Sequence, residues 1–202
     1  NADGITLTSV TTGNQHLTLN SAAGISVNNT VTMAAGMDLT ANAVGTIDLA
    51  NSNADISATG NGEISLTAER NIVLASGSSV TTVDGNLLLS ANQQAISTSG
   101  NFIGINVNGG LVQAAGTGTV TVLGKGGDDA AGYQSGVRIS GDIIGGTTGL
   151  VTVTGQGGSL TGTGNANVGV LVSGSGGSIT SAGGNVQVTV TGGSAGSSTL
   201  NH

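Results

Sequence analysis

Between Asn101 and Gly193 the chain writes one theme three times. Gly104-Ile105-Asn106-Val107-Asn108-Gly109 returns 32 residues later as Gly136-Val137-Arg138-Ile139-Ser140-Gly141, and 33 residues after that as Gly169-Val170-Leu171-Val172-Ser173-Gly174. A second theme is interleaved with it. Val120-Thr121-Val122-Leu123-Gly124 recurs as Val151-Thr152-Val153-Thr154-Gly155 and as Val188-Thr189-Val190-Thr191-Gly192. Two motifs in fixed order at a near-constant period describe one repeated structural unit, and periods of roughly 20–50 residues belong to solenoids, propellers and arrays.

The first hundred residues use a looser form of the same grammar. Apolar–polar–apolar triplets recur as Ile5-Thr6-Leu7, Leu17-Thr18-Leu19, Ile25-Ser26-Val27, Val31-Thr32-Met33, Met37-Asp38-Leu39, Ile47-Asp48-Leu49 and Ile64-Ser65-Leu66. Ile72-Val73-Leu74 and Leu87-Leu88-Leu89 continue the series with apolar centres. Alternation at period two puts the outer residues of each triplet on one face of a half-buried strand. Gly, Asn, Ser and Ala fill the intervals and supply turns.

From Ile56 to Val120 the triplets arrive about every eight residues, one short strand and one corner at a time. Pairs such as Asn61-Gly62, Asp84-Gly85 and Asn108-Gly109 would suit hairpins. The even spacing of near-identical triplets instead fits a chain wound repeatedly around one axis. The expected fold is therefore all-β, a single continuous parallel β-helix over residues 1–202. With three triplets in a coil of about 24 residues, some eight coils would make a rod of about 40 Å. The later repeats of 31–37 residues would be coils with a longer side or a protruding loop. Ile105, Val107, Val137, Ile139, Val170 and Val172 are expected in the interior.

Composition favours such a thin interior over a globular core. The aromatics are Phe102 and Tyr133 alone, and Trp, Pro and Cys are absent. Aromatic side chains bury about 150–250 Å² each and dominate globular cores; here Val, Ile, Leu and Ala must serve. The 38 glycines could signal disorder, but apolar residues make up 37% of the chain and alternate in register, while charged residues make up 6%.

Units such as Gly62-Glu63-Ile64-Ser65-Leu66-Thr67-Ala68, Gly4-Ile5-Thr6-Leu7-Thr8 and Arg70-Asn71-Ile72-Val73-Leu74 resemble the repeats of filamentous-haemagglutinin-type exoproteins. The resemblance covers most of residues 1–100. Residues 101–193 look more like the Gly-rich tracts of giant bacterial surface proteins and autotransporter passengers. It implies a right-handed β-helical shaft on the bacterial surface or outside the cell.

The net charge is −7 and the fixed cations are Arg70, Lys125 and Arg138. Binding a phosphate backbone or an anionic membrane relies on Lys and Arg, so neither nucleic acid nor a membrane surface is an expected partner. No apolar run approaches the roughly 20 residues of a membrane helix. The most polar loop, Gly124 to Tyr133, holds the paired acids Asp128 and Asp129 and carries the weak metal-site candidates; Ca²⁺ would be the ion, since it takes six to eight oxygen ligands. A solvated loop is the simpler account, because the corresponding loop after Gly155 has no acids. Asp38 and Asp48 sit at triplet centres and are expected to face outward. His16 and His202 are too far apart along the repeat for a shared site, and no nucleophile elbow or phosphate loop is present.

The function these features suggest is structural and non-catalytic, a shaft segment of an extracellular bacterial adhesin or surface fibre. Its expected partners are neighbouring repeats of a longer chain or copies of itself end to end, with a host or matrix surface beyond them. The open strand edge of a β-helix end needs such a cover, and neither terminus reads as one; residues 8–16 and 194–202 could at most form crude caps. Three other readings are a self-assembling filament subunit, a carbohydrate-active β-helix enzyme built on clustered Asp, and an ice-binding solenoid built on Thr152 with Thr154, Thr161 with Thr163, and Thr189 with Thr191.

Overall fold

The computed structural model describes residues 4–129, 132–158, 166–174 and 176–193. Within them the chain is all strand, turn and bend, wound into seven coils of three strands each. The first coil is Ile5–Leu7 (β1), Val10–Thr11 (β2) and Leu17–Ser21 (β3); the second is Ile25–Val27 (β4), Val31–Met33 (β5) and Leu39–Ala43 (β6). Ile47–Leu49 (β7), Asp55–Ala58 (β8) and Ile64–Ala68 (β9) make the third, and Ile72–Leu74 (β10), Ser79–Thr82 (β11) and Leu87–Ala91 (β12) the fourth. The fifth is Ile105–Val107 (β13), Leu111–Ala114 (β14) and Val120–Lys125 (β15), and the sixth Val137–Ile139 (β16), Asp142–Gly145 (β17) and Val151–Gln156 (β18). Val170–Val172 (β19), Ser178–Ser181 (β20) and Val186–Thr191 (β21) close the series.

Each strand pairs in parallel with its counterpart one coil away, giving three seven-stranded sheets. The Asn-Gly and Asp-Gly pairs are corners, not hairpins, because the strands that flank them pair in parallel with other coils; at Asn108-Gly109 the glycine takes positive φ where the chain turns. The three sheets cross residue 100 without interruption, since β10 pairs with β13, β11 with β14 and β12 with β15.

Register explains the coil count. Ile5, Ile25, Ile47, Ile72, Ile105, Val137 and Val170 stand in one column, so successive coils take 20, 22, 25, 33, 32 and 33 residues. The described residues therefore make seven coils and not eight, because the later ones use residues in a side loop. At about 4.8 Å per strand the first and last coils stand about 29 Å apart.

The interior is a set of aliphatic ladders. Ile25, Ile47, Ile72, Ile105 and Val137 stack in the first sheet, Val31, Ile56, Val80, Val112 and Ile143 in the second, and Leu39, Ile64, Leu87, Val120 and Val151 in the third, all buried. Burying one such side chain stabilises by about 1.5–3 kcal/mol, and each is covered above and below by its own repeat. The last coil departs from expectation. Val170 is only half-buried and Val172 is 47% exposed, and Val186, Val188 and Val190 are open as well. Their strands pair correctly on one side with β16 and β18. Among the described residues, nothing apolar covers them on the side away from the sixth coil.

One inward column narrows along the axis: Ser21, Ala43, Ala68 and Ala91 give way to Gly124 and Gly155. The reason is a close approach. A Cβ on Gly124 would lie 2.2 Å from the Gly136 carbonyl oxygen, and one on Gly155 would lie 2.0 Å from that of Gly169. The segments before β16 and β19 press against the ends of β15 and β18, and only glycine leaves them room.

Candidate functional site

The extra residues of the longer coils all leave through one corner. Residues 92–104 follow β12, 126–136 follow β15, and 157–169 follow β18, each leading back to the first sheet. Their described residues (92–104, 126–129 with 132–136, and 157–158 with 166–169) stack one coil apart as a lateral ledge that carries both aromatics of the chain.

Buried amides hold the ledge together. Asn92 is fully buried with φ of +57°, a left-handed conformation that Asn tolerates better than most residues. Its Nδ2 donates to the Gly126 carbonyl at 3.1 Å and its Oδ1 accepts from the Thr98 amide at 2.7 Å, so one side chain ties two loops. Gln134 repeats the device in the next coil: its backbone N–H donates to Asn167 Oδ1 at 3.1 Å, and its Nε2 donates to Asp129 Oδ1. Unpaired, these buried groups would each cost about 1–3 kcal/mol; paired, they fix the loops.

This places the sequence candidates Asp128 and Asp129. Asp129 is half-buried and spends a carboxylate oxygen on Gln134, and Asp128 beside it is also half-buried. Among the described residues no three His, Cys, Asp or Glu side chains come together. The arrangement accounts for Asp129 as an anchor for its own loop.

Two of the three fixed cations are engaged on the ledge or beside it. Arg70 lies over the Phe102 ring at 4.8 Å and donates to Asn71 Oδ1 at 3.2 Å, while Lys125 Nζ donates to Ser97 Oγ. Arg138 differs. It is the outward residue of β16, exposed, in a row between Asn106 and Leu171. Next to it a groove of about 350 Å³ opens where the ledge meets the first sheet, lined by Ile103, Tyr133, Ser135, Val168, Leu171 and Ser173 among others. In the sequence Tyr133 belongs to a polar loop and Arg138 to a repeat motif, and neither motif points to the other. The signal that joins them is alignment on the repeat glycines: Tyr133 precedes Gly136 by three residues, as Ala166 precedes Gly169, and both take left-handed φ, +65° and +58°.

The remaining acids are distributed, not clustered. Asp48 faces outward from β7 as expected, between Ser26 and Val73, and burial pushes its carboxyl above the ordinary 3.8. Asp38 is not a triplet centre, because β6 begins at Leu39. It occupies a corner and accepts from the Glu63 amide at 2.8 Å, and Glu63 Oε1 accepts from Asn86 Nδ2 at 2.8 Å. Asn86 Oδ1 then accepts from Thr119 Oγ1 at 2.8 Å, completing a polar seam down that corner. At its start His16 Nδ1 accepts from the Asp38 amide at 3.0 Å and lies 3.1 Å from Asp38 Oδ2. His202, Thr161, Thr163 and residues 194–202 lie outside the described residues.

The outward rows of the third sheet break any threonine plane. One row reads Thr18, Thr40, Ser65, Leu88, Thr121, Thr152, Gln187; the next reads Asn20, Asn42, Thr67, Ser90, Leu123, Thr154, Thr189. Leu88, Leu123 and Gln187 interrupt the Thr-x-Thr pairs. Asn20 and Asn42 form a short side-chain ladder instead, Nδ2 of Asn42 donating to Asn20 Oδ1 at 2.9 Å.

Compared with known proteins, the chain matches no family model, no curated protein and no solved structure.

Proposed function

We propose that the chain is a non-catalytic shaft segment of an extracellular bacterial adhesin or surface fibre, holding other parts of an assembly away from the cell. One observation carries this reading. A continuous aliphatic interior, stacked coil on coil, is wrapped in outward rows dominated by Thr, Ser and Asn. Such a wall gives a stiff spacer that is polar along its sides and tolerates loops at one corner. Antibodies raised against the chain should label intact, unpermeabilised cells of the source bacterium. Labelling only after permeabilisation would defeat the proposal.

A second reading, a self-associating filament subunit, rests on the seventh coil. Val172, Val186, Val188 and Val190 leave an apolar patch beside a strand edge that is unpaired among the described residues, and such an edge templates further pairing. Ile5, Val10 and Leu17, half-buried at the opposite end, supply an apolar face for a second copy. Sedimentation across a concentration range separates the readings: a species that stays monomeric removes the filament.

A further inference from the structure

We propose that the groove between the ledge and the first sheet binds a carboxylated monosaccharide unit, such as a terminal uronic-acid residue of a glycan. The inference concerns this groove alone and holds whether or not the chain is a surface shaft.

Charge is the first argument. The chain has ten acids and three fixed cations, and two of those cations are occupied by Phe102, Asn71 and Ser97. Arg138 is exposed and makes no ion pair among the described residues, and none of the residues lining the groove is acidic. A guanidinium presents a planar fork of donors that matches a carboxylate with two parallel hydrogen bonds.

Tyr133 is the second. Its φ of +65° is a conformation that strains a residue with a Cβ, and its repeat counterpart Ala166, which also lines the groove, takes +58°. Packing does not compensate, since the residue is 75% exposed. Strain of this kind is found at ligand clamps, and here it sets the only tyrosine at the wall of a groove. An open aromatic face suits the apolar face of a pyranose ring.

Shape and backbone chemistry select the ligand class. Ile103, Val168 and Leu171 make the groove mainly apolar, and Ser135 and Ser173 add hydroxyls that can meet sugar hydroxyls. Its volume is at the small end for ligand sites, room for about one ring. An extended peptide would seek a free strand edge. β16 offers none, being paired on both sides by β13 and β19. Recognition here must go through side chains, as it does for a sugar.

The test uses the whole 202-residue chain with sodium glucuronate, glucose and a blocked aspartyl dipeptide, followed by calorimetry and saturation-transfer NMR. Glucuronate should bind about tenfold more tightly than glucose, a difference of about 1.4 kcal/mol, with transfer concentrated on one ring face. Arg138→Gln should erase that preference. Tyr133→Gly should weaken both sugars by about tenfold while the melting temperature holds or rises, because glycine relieves the left-handed φ. The proposal fails if glucuronate does not bind at millimolar concentration, if Arg138→Gln keeps the preference, or if the dipeptide binds the groove as well as glucuronate does. A Tyr133→Gly chain that retains sugar affinity overturns it equally.

Discussion

A Cβ on Gly118 would lie 2.0 Å from the carbonyl oxygen of Gly85, its counterpart one coil earlier. Gly85 stands in the same relation to Gly62 at 1.9 Å, Gly149 to Gly118 at 1.9 Å, and Gly184 to Gly149 at 2.0 Å. The obstacle is backbone in every case, so no rotamer can relieve it. Gly118→Ala should therefore destabilise by about 3 kcal/mol or more in chemical denaturation. Gly13→Ala, where nothing lies within 4 Å, should stay within about 0.5 kcal/mol of the parent.

Val151 and Val186 occupy one column a single coil apart, the first fully buried and the second open. Val151→Asp should cost several kcal/mol or abolish folding, since it buries an unpaired charge. Val186→Asp should cost about 1 kcal/mol or less. Thermal melts of the two variants at one protein concentration check this. Equal losses would mean that Val186 is covered in solution.

Thr82 points inward between Ala58 and Ala114, and its buried Oγ1 has no hydrogen-bond partner. Thr82→Val exchanges that hydroxyl for a methyl of similar size and should stabilise by about 1 kcal/mol. A loss of stability on denaturant titration would show that the hydroxyl is satisfied in solution.

Asp48 gives a pH signature. Its folded carboxyl titrates above 3.8 because burial disfavours the anion. The folded state thus holds its proton more strongly than the unfolded state, and stability contributed at this site falls as pH rises through that interval. At neutral pH Asp48→Asn should be slightly more stable than the parent, by about 0.5 kcal/mol or less given its partial exposure. The difference should vanish at acid pH, where both states are protonated. An Asp48→Asn gain that persists there would assign the effect to something other than charge.

Period-two patterning alone makes the ladders legible in the amino-acid sequence. Ile25-Ser26-Val27 and Ile47-Asp48-Leu49 read correctly because each strand carries its own inside and outside. The frame is harder to place. Met37, Leu39, Ala41 and Ala43 all alternate, so the pattern runs through the corner and Asp38 reads as strand. Val172 shows a different limit. Its local sequence matches that of Val107, yet burial comes from the neighbouring coil and not from the triplet itself. The groove is invisible in the sequence for a related reason: Ile103, Arg138 and Leu171 meet only once the register of three coils is known.

The hydrogen bonds of the three sheets all run from coil to coil, so a pull along the axis loads them in tension and not in shear. Chains held this way should unspool from an end, one coil per event, as nearest-neighbour repeat arrays do. Unequal coils then leave a directional record in a force–extension trace. Releasing an early coil of 20 residues frees at most about 70 Å of contour, whereas a late coil of 33 residues frees about 115 Å. The order of short and long steps would report which end yields first.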